Sequence, residues 1–140
     1  MTPIGIGIIG AGNISSQYLK AAPTFPILAV RAIADMNPEA ARARAAEFGI
    51  RATSVAELLA DPTIEIVVNL TVPKAHVDVS LQAVAAGKSV HSEKPFGVSV
   101  NEAKTLVDAA KAKGVRIGSA PDTFLGAHIR RAGSFSTKAR

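Results

Sequence analysis

Two glycines and a distant carboxylate are the first residues here whose types and spacing can do chemistry. The stretch "GIGIIGAGNIS" (5–15) holds two overlapping copies of a dinucleotide-binding pattern. Gly5, Gly7 and Gly10 spell G-x-G-x-x-G, whereas Gly10, Gly12 and Ser15 keep the spacing with serine in the third place. A phosphate-binding turn needs a strand before it and a helix N-terminus after it, so that unpaired backbone N–H groups face the anion. The first register leaves only Thr2–Ile4 for the strand. It also runs its helix through Gly10 and Gly12, at about 1 kcal/mol each. The second register has the apolar run 4–9 ahead of it and good helix formers behind. There Gly10 makes the tight turn, Gly12 lets the backbone approach a diphosphate, and Ser15 is small enough for the helix to pack on the strand. Asn13 and Ile14 complete the amide cradle, and the perfect match is the decoy.

Asp35 strengthens this reading. It ends the run "ILAVRAIA" (27–34), 23 positions after Gly12. A carboxylate there accepts hydrogen bonds from the ribose hydroxyls of an adenosine and repels a 2′-phosphate, which favours NAD over NADP. Arg42 and Arg44 would soften that preference, but at helix positions they read as solvated. The competing reading makes Asp35 a turn residue that caps the next helix.

These groups need a frame, and the alternation of the chain supplies one. Apolar runs at 4–9, 27–34, 65–70, 88–92 and 115–120 read as strands. Between them lie helical patterns: 13–22 before Pro23, 38–48 ended by Gly49, a short one opened by Ser54 and Glu57, 74–86 stopped at Gly87, and one from Ser99 and Glu102 to Gly114. Asn37 followed by Pro38 is a cap with proline in the first turn. Ser54/Glu57 and Ser99/Glu102 have capping-box spacing. Strand–helix alternation with short continuous apolar strands predicts an α/β fold, a doubly wound parallel sheet with helices on both faces.

Composition narrows the function classes. The 140 residues suit one domain, with 48% hydrophobic, 4% aromatic and 19% charged residues. With no cysteine and three histidines, neither a disulfide framework nor a metal site is expected. The net charge of +5 is local, because Arg130, Arg131, Lys138 and Arg140 lie beyond the last acid, Asp122. Without those four, 12 basic residues face 11 acidic ones, so a nucleic-acid partner is not expected. No apolar stretch approaches the ~20 residues of a membrane span, and a soluble cytoplasmic protein is the expectation.

"NLTVPKAHVDVSLQAVAAGKSVHSEKPFG" (69–97), with "GAGNIS" and "GSAPDTFLGA" (118–127), resembles the Gfo/Idh/MocA oxidoreductases over about residues 4–127. The resemblance implies an N-terminal Rossmann domain, here 1–128, that holds NAD or NADP. It implies a second, C-terminal domain that supplies most of a pocket for a sugar, cyclitol or polyol. It places Lys94 of the E-K-P element at the catalytic position, and Thr71, Pro73, His76 and Glu93 around the cofactor cleft. The residues make their own sense of this. Lys94 follows the run 88–92, and ligands of open α/β sheets bind beyond the carboxyl ends of strands. A lysine there can hydrogen-bond a substrate oxygen and favour its alkoxide, with Glu93 orienting it. The Lys94–Pro95 bond is a candidate cis peptide. His91 and His128 are read as structural or incidental.

The chain departs from that family where "HIRRAGSFSTKAR" (128–140) loses the helical period, and 129–140 is read as a basic, disordered tail. The expectation is that the family's substrate domain is absent. An expression fragment, a frameshifted gene and a one-domain protein all fit. The expectation is a chain that binds nicotinamide dinucleotide, turns over little or nothing alone, and exposes an apolar flank that favours homo-oligomers. The alternative is a non-catalytic nucleotide-binding or protein-interaction module.

Overall fold

Six parallel strands form one sheet in the order β3-β2-β1-β4-β5-β6. They are β1 (Ile4–Ile9), β2 (Leu28–Ala34), β3 (Arg51–Ala52), β4 (Ile66–Asn69), β5 (Ser89–Ser92) and β6 (Ile117–Ser119). The helices between them are α1 (Ser15–Ala21), α2 (Pro38–Phe48), α3 (Val55–Ala60), α4 (His76–Ala85) and α5 (Val100–Lys113). Short 3₁₀ turns, Ala22–Thr24 and Pro73–Ala75, extend α1 and precede α4. The structure, a computed structural model, describes residues 2–120. The expectations for 121–140, the basic tail included, lie outside the described residues.

The expected strands and helices are found with ends moved by one or two residues. One element was missed: β3 has two residues, too few to show a period, and pairs with Ala32 and Ile33 of β2. Helix ends follow local chemistry. Asn37 accepts from the Glu39 amide at the start of α2, and Gly49 ends it at φ +66°. Ser54 and Glu57 form the complete capping box of α3. At α5 only half forms: Ser99 accepts from the Glu102 amide, but the Glu102 carboxylate takes the N–H of Val98 instead.

The strands have two buried faces because helices cover both. Ile9, Ala34, Val67 and Val90 pack in one core with Leu58, Val84 and Leu106 of α3, α4 and α5. Ile6, Ile8, Ile33 and Val68 pack in the other with Leu19 of α1 and Ala45 of α2. This is why β1 and β4 read as continuous apolar runs. On the second face an apolar groove of about 490 Å³ runs between Ile66, Val68 and His91 of the sheet and Tyr18 and Phe25.

The glycines of the first register serve that packing. A Cβ on Gly5 would stand 1.7 Å from the Thr63 carbonyl oxygen, and one on Gly7 would stand 2.7 Å from Leu58. The loop after α3 presses on β1 at this point. Lys88 secures the same loop from behind, its buried ammonium donating to the carbonyls of Asp61 and Ile64 at 2.7 Å each. Charge-assisted bonds satisfy a cation that would otherwise be costly to bury.

Candidate functional site

The carboxyl ends of β1, β2 and β4 meet where the strand order reverses, between β1 and β4. In open α/β sheets this switch point is where a crevice opens. Gly10 turns the chain there at φ +111°, and its α-carbon lies so close to the Leu70 backbone that a Cβ would come within 2.6 Å. Gly12 faces open space, with nothing within 4 Å of a Cβ. Among the described residues, no backbone or side-chain acceptor takes the N–H groups of Gly12, Asn13 and Ile14. Ser15 is fully buried and donates its hydroxyl to the Gly12 carbonyl at 2.6 Å, tying the turn to the start of α1. Three open amides beside a glycine with free space fit a diphosphate.

Asp35 stands at the end of β2 against this turn. Its Oδ2 accepts from the Ala11 amide at 2.7 Å and its Oδ1 from the Asn37 amide at 2.8 Å. The turn-residue reading is therefore part of the answer, although Asn37 caps α2. Each carboxylate oxygen has a further lone pair for a ligand hydroxyl. Two hollows share Asp35, Met36 and Val55. One, about 230 Å³, runs past Gly10, Gly12 and Thr71. The other, about 510 Å³, reaches Arg42, Thr53 and Glu57.

Of the two arginines, Arg42 is solvated as expected and pairs with Glu39. Arg44 differs. Its side chain is only 18% exposed, pairs with Glu47 at 2.7 Å, and brings Nη2 to 3.4 Å from the Gly12 carbonyl. The reading of both as solvated thus fails at Arg44, because the α2 face that carries it packs beside the turn at Gly12.

Glu57 borders the larger hollow through the α3 capping box. Hydrogen bonds from the Thr53 hydroxyl, then from the Ser54 amide and hydroxyl, hold its carboxyl down at about 2. A carboxyl lowered in the folded state stabilises the fold above the ordinary carboxylate range, and that contribution fades as pH falls towards 2. Glu57→Gln is accordingly expected to flatten the fall in melting temperature between about pH 4.5 and pH 2, followed by circular dichroism. Asp61 and Glu39 are lowered as well, by Thr63 and Arg42, so some slope will remain.

The loops after β4 and β5 carry the remaining candidates. Thr71 donates its amide and hydroxyl to Asn69 Oδ1 at 3.2 and 2.7 Å. Asn69 Nδ2 donates to the His76 carbonyl and the Ser80 hydroxyl. Asn69 is fully buried with all its polar capacity used, and it shapes this turn. Sequence reasoning passed it over, although a polar residue closing "EIVVN" was a signal. Pro73 opens the 3₁₀ turn at the surface. His76 does not face the cleft. It is 1% exposed, with Nδ1 2.7 Å from the Pro95 carbonyl and Nε2 2.8 Å from the Thr71 carbonyl. It links the two loops. Lys94 is exposed after β5, and the Lys94–Pro95 peptide is cis. Tyr18 of α1 donates to Glu93 Oε1 at 2.5 Å, a contact across 75 residues that no sequence pattern announced. Gly10, Gly12, Asp35 and Thr71 thus border one hollow, while Glu93 and Lys94 lie on the neighbouring loop.

A parallel sheet in the order 3-2-1-4-5-6, with open amides and an acid at its switch point, defines a dinucleotide-binding domain of the Rossmann class. Residues 4–120 match the model of the Gfo/Idh/MocA oxidoreductase family with an NAD-binding Rossmann fold, and the chain belongs to that family. It is 34% identical over 115 residues to 1,5-anhydro-D-fructose reductase of Ensifer adhaerens, which covers 81% of this chain and 34% of that protein. The fold matches the WlbA dehydrogenase of Bordetella pertussis, solved with NADH and UDP-GlcNAcA. The TM-score is 0.92 at 27% identity, over 99% of this chain and 43% of that one. It also matches KijD10, a 3-ketoreductase of Actinomadura kijaniata solved with NADP and TDP-benzene. Here the TM-score is 0.87 at 25% identity, over 99% and 43% of the two chains. The chain spans about a third of the length of the curated relatives it matches. No helix among the described residues is long and apolar enough to cross a membrane.

Proposed function

We propose that this chain is the coenzyme-binding part of an oxidoreductase acting on a CH–OH group of a sugar, cyclitol or polyol, with NAD preferred over NADP. The observation that carries the reading is the run of amides at Gly12, Asn13 and Ile14 that find no acceptor among the described residues, beside a hollow that Gly12 and Asp35 both border. The amides hold the diphosphate, and Asp35 accepts the adenosine ribose hydroxyls. Thr71 and Pro73 flank the crevice, and His76 acts from behind by holding the Thr71 and Lys94–Pro95 loops together. The nicotinamide ring, when bound, supplies the hydride chemistry. Lys94 donates to the substrate oxygen and stabilises its alkoxide character, and Glu93 sits beside it. The sugar nucleotide in the WlbA structure and the sugar in the name of the Ensifer relative support the substrate class.

A Rossmann domain offers one wall of such a site, so alone it turns over little or nothing, for want of a closed near-attack geometry. Its setting is cytoplasmic, and it self-associates through an apolar flank around the last strand. The test is calorimetric titration of the chain with NAD and NADP, followed by a sugar and polyol panel read as NADH absorbance. NAD is expected to bind more tightly than NADP, with no appreciable NADH formed. Silence with both coenzymes sinks the reading. Robust NADH formation overturns only the low-turnover part.

A further inference from the structure

Glu93 and Lys94 are adjacent and oppositely charged, yet they are not paired. Among the described residues the Lys94 ammonium makes no hydrogen bond and no ion pair within 4.0 Å. The carboxylate is engaged elsewhere. Its Oε1 accepts from the Tyr18 hydroxyl at 2.5 Å, and its Oε2 faces the Lys94 backbone amide at 3.3 Å. The Tyr18 ring in turn stands 6.3 Å from that of His91 on β5, tilted by 54°. A hydroxyl bonded to a carboxylate is stronger than an ion pair between side chains in water.

The geometry points to Tyr18 as a positioning residue that turns Glu93 away from Lys94 and leaves the ammonium free for a substrate oxygen. This rests on the proposed role of Lys94, but the arrangement itself does not depend on coenzyme. Tyr18 belongs to α1, the helix whose first turn follows the open amides, so one short helix serves both parts of the site. Without the phenol, Glu93 swings to the ammonium and occupies it in a pair.

The reactivity of Lys94 reads this directly. The chain is treated with an amine-acylating reagent near pH 8, and the rate at Lys94 is followed by mass spectrometry. Exposed Lys104 on α5 serves as internal reference, and buried Lys88 reports the fold. Tyr18→Phe is expected to slow Lys94 about threefold relative to Lys104. Glu93→Gln alone is expected to leave the rate unchanged, and in the Glu93→Gln background Tyr18→Phe no longer has an effect. An unchanged rate in Tyr18→Phe, an equal slowing when Glu93 is already Gln, or a faster rate in Glu93→Gln alone overturns the assignment. Should Tyr18→Phe expose Lys88, the Glu93→Gln measurement decides by itself. Coenzyme titration of the unaltered chain reports separately on the proposed function.

Discussion

Gly12→Ala leaves the melting temperature of the free chain nearly unchanged but removes the stabilisation that NAD confers, whereas Gly10→Ala strongly destabilises the fold. The contrast follows from two neighbouring backbone environments. A methyl at Gly12 meets nothing within 4 Å, so the ligand-free chain has no clash to relieve. It fills the space through which the proposed diphosphate approaches the amides, and an affinity loss of about tenfold or more is expected from the lost contacts. At Gly10 a methyl comes within 2.6 Å of the Leu70 carbonyl at φ +111°, which side chains rarely adopt. The clash and the strained backbone together cost about 3 kcal/mol or more, enough to lower the melting temperature by more than ~10 °C. Thermal melts with and without saturating NAD separate the two. A Gly12→Ala protein with undiminished NAD stabilisation would show that the diphosphate lies elsewhere.

The second large effect concerns Asp35, which has two tasks. Its oxygens hold the Ala11 and Asn37 amides, and they also face the hollow where a ribose would sit. Asp35→Ala removes both and is expected to cost about 1.5–3 kcal/mol of stability, together with coenzyme binding. Asp35→Asn keeps one acceptor for the backbone and loses the charge. Most of the stability should survive in urea melts, while NAD binds about ten- to a hundredfold more weakly and NADP gains relative to it, because the repulsion of a 2′-phosphate is gone. If Asp35→Asn binds NAD as tightly as the unaltered chain, the ribose does not rest on this carboxylate.

What could be read in advance was whatever depends on neighbours along the chain. The Ser54–Glu57 box, the Gly49 and Gly114 stops and the runs in β1 and β4 are local or periodic, and they stand where expected. That the turn falls at Gly10, after β1 and not within it, also followed from local logic, since a turn must have a strand before it. Its counterpart did not. That Gly5 and Gly7 are demanded by Thr63 and Leu58 is a fact of how the loop after α3 lies on β1. Arg44 was misread for the same reason: an arginine in an alanine-rich helix looks solvated until α2 is seen beside the first turn. Asn69 left only a faint trace, and Tyr18–Glu93 left none.

The buried His76 ring has one more consequence, for motion. It spans the Thr71 and Pro95 carbonyls while its helix begins between them in sequence, so it behaves as a rivet through two plates. The edge of the crevice beyond β4 and the lysine-bearing edge beyond β5 therefore share one buried side chain. A displacement of either edge is thus expected to be felt at the other through the same ring.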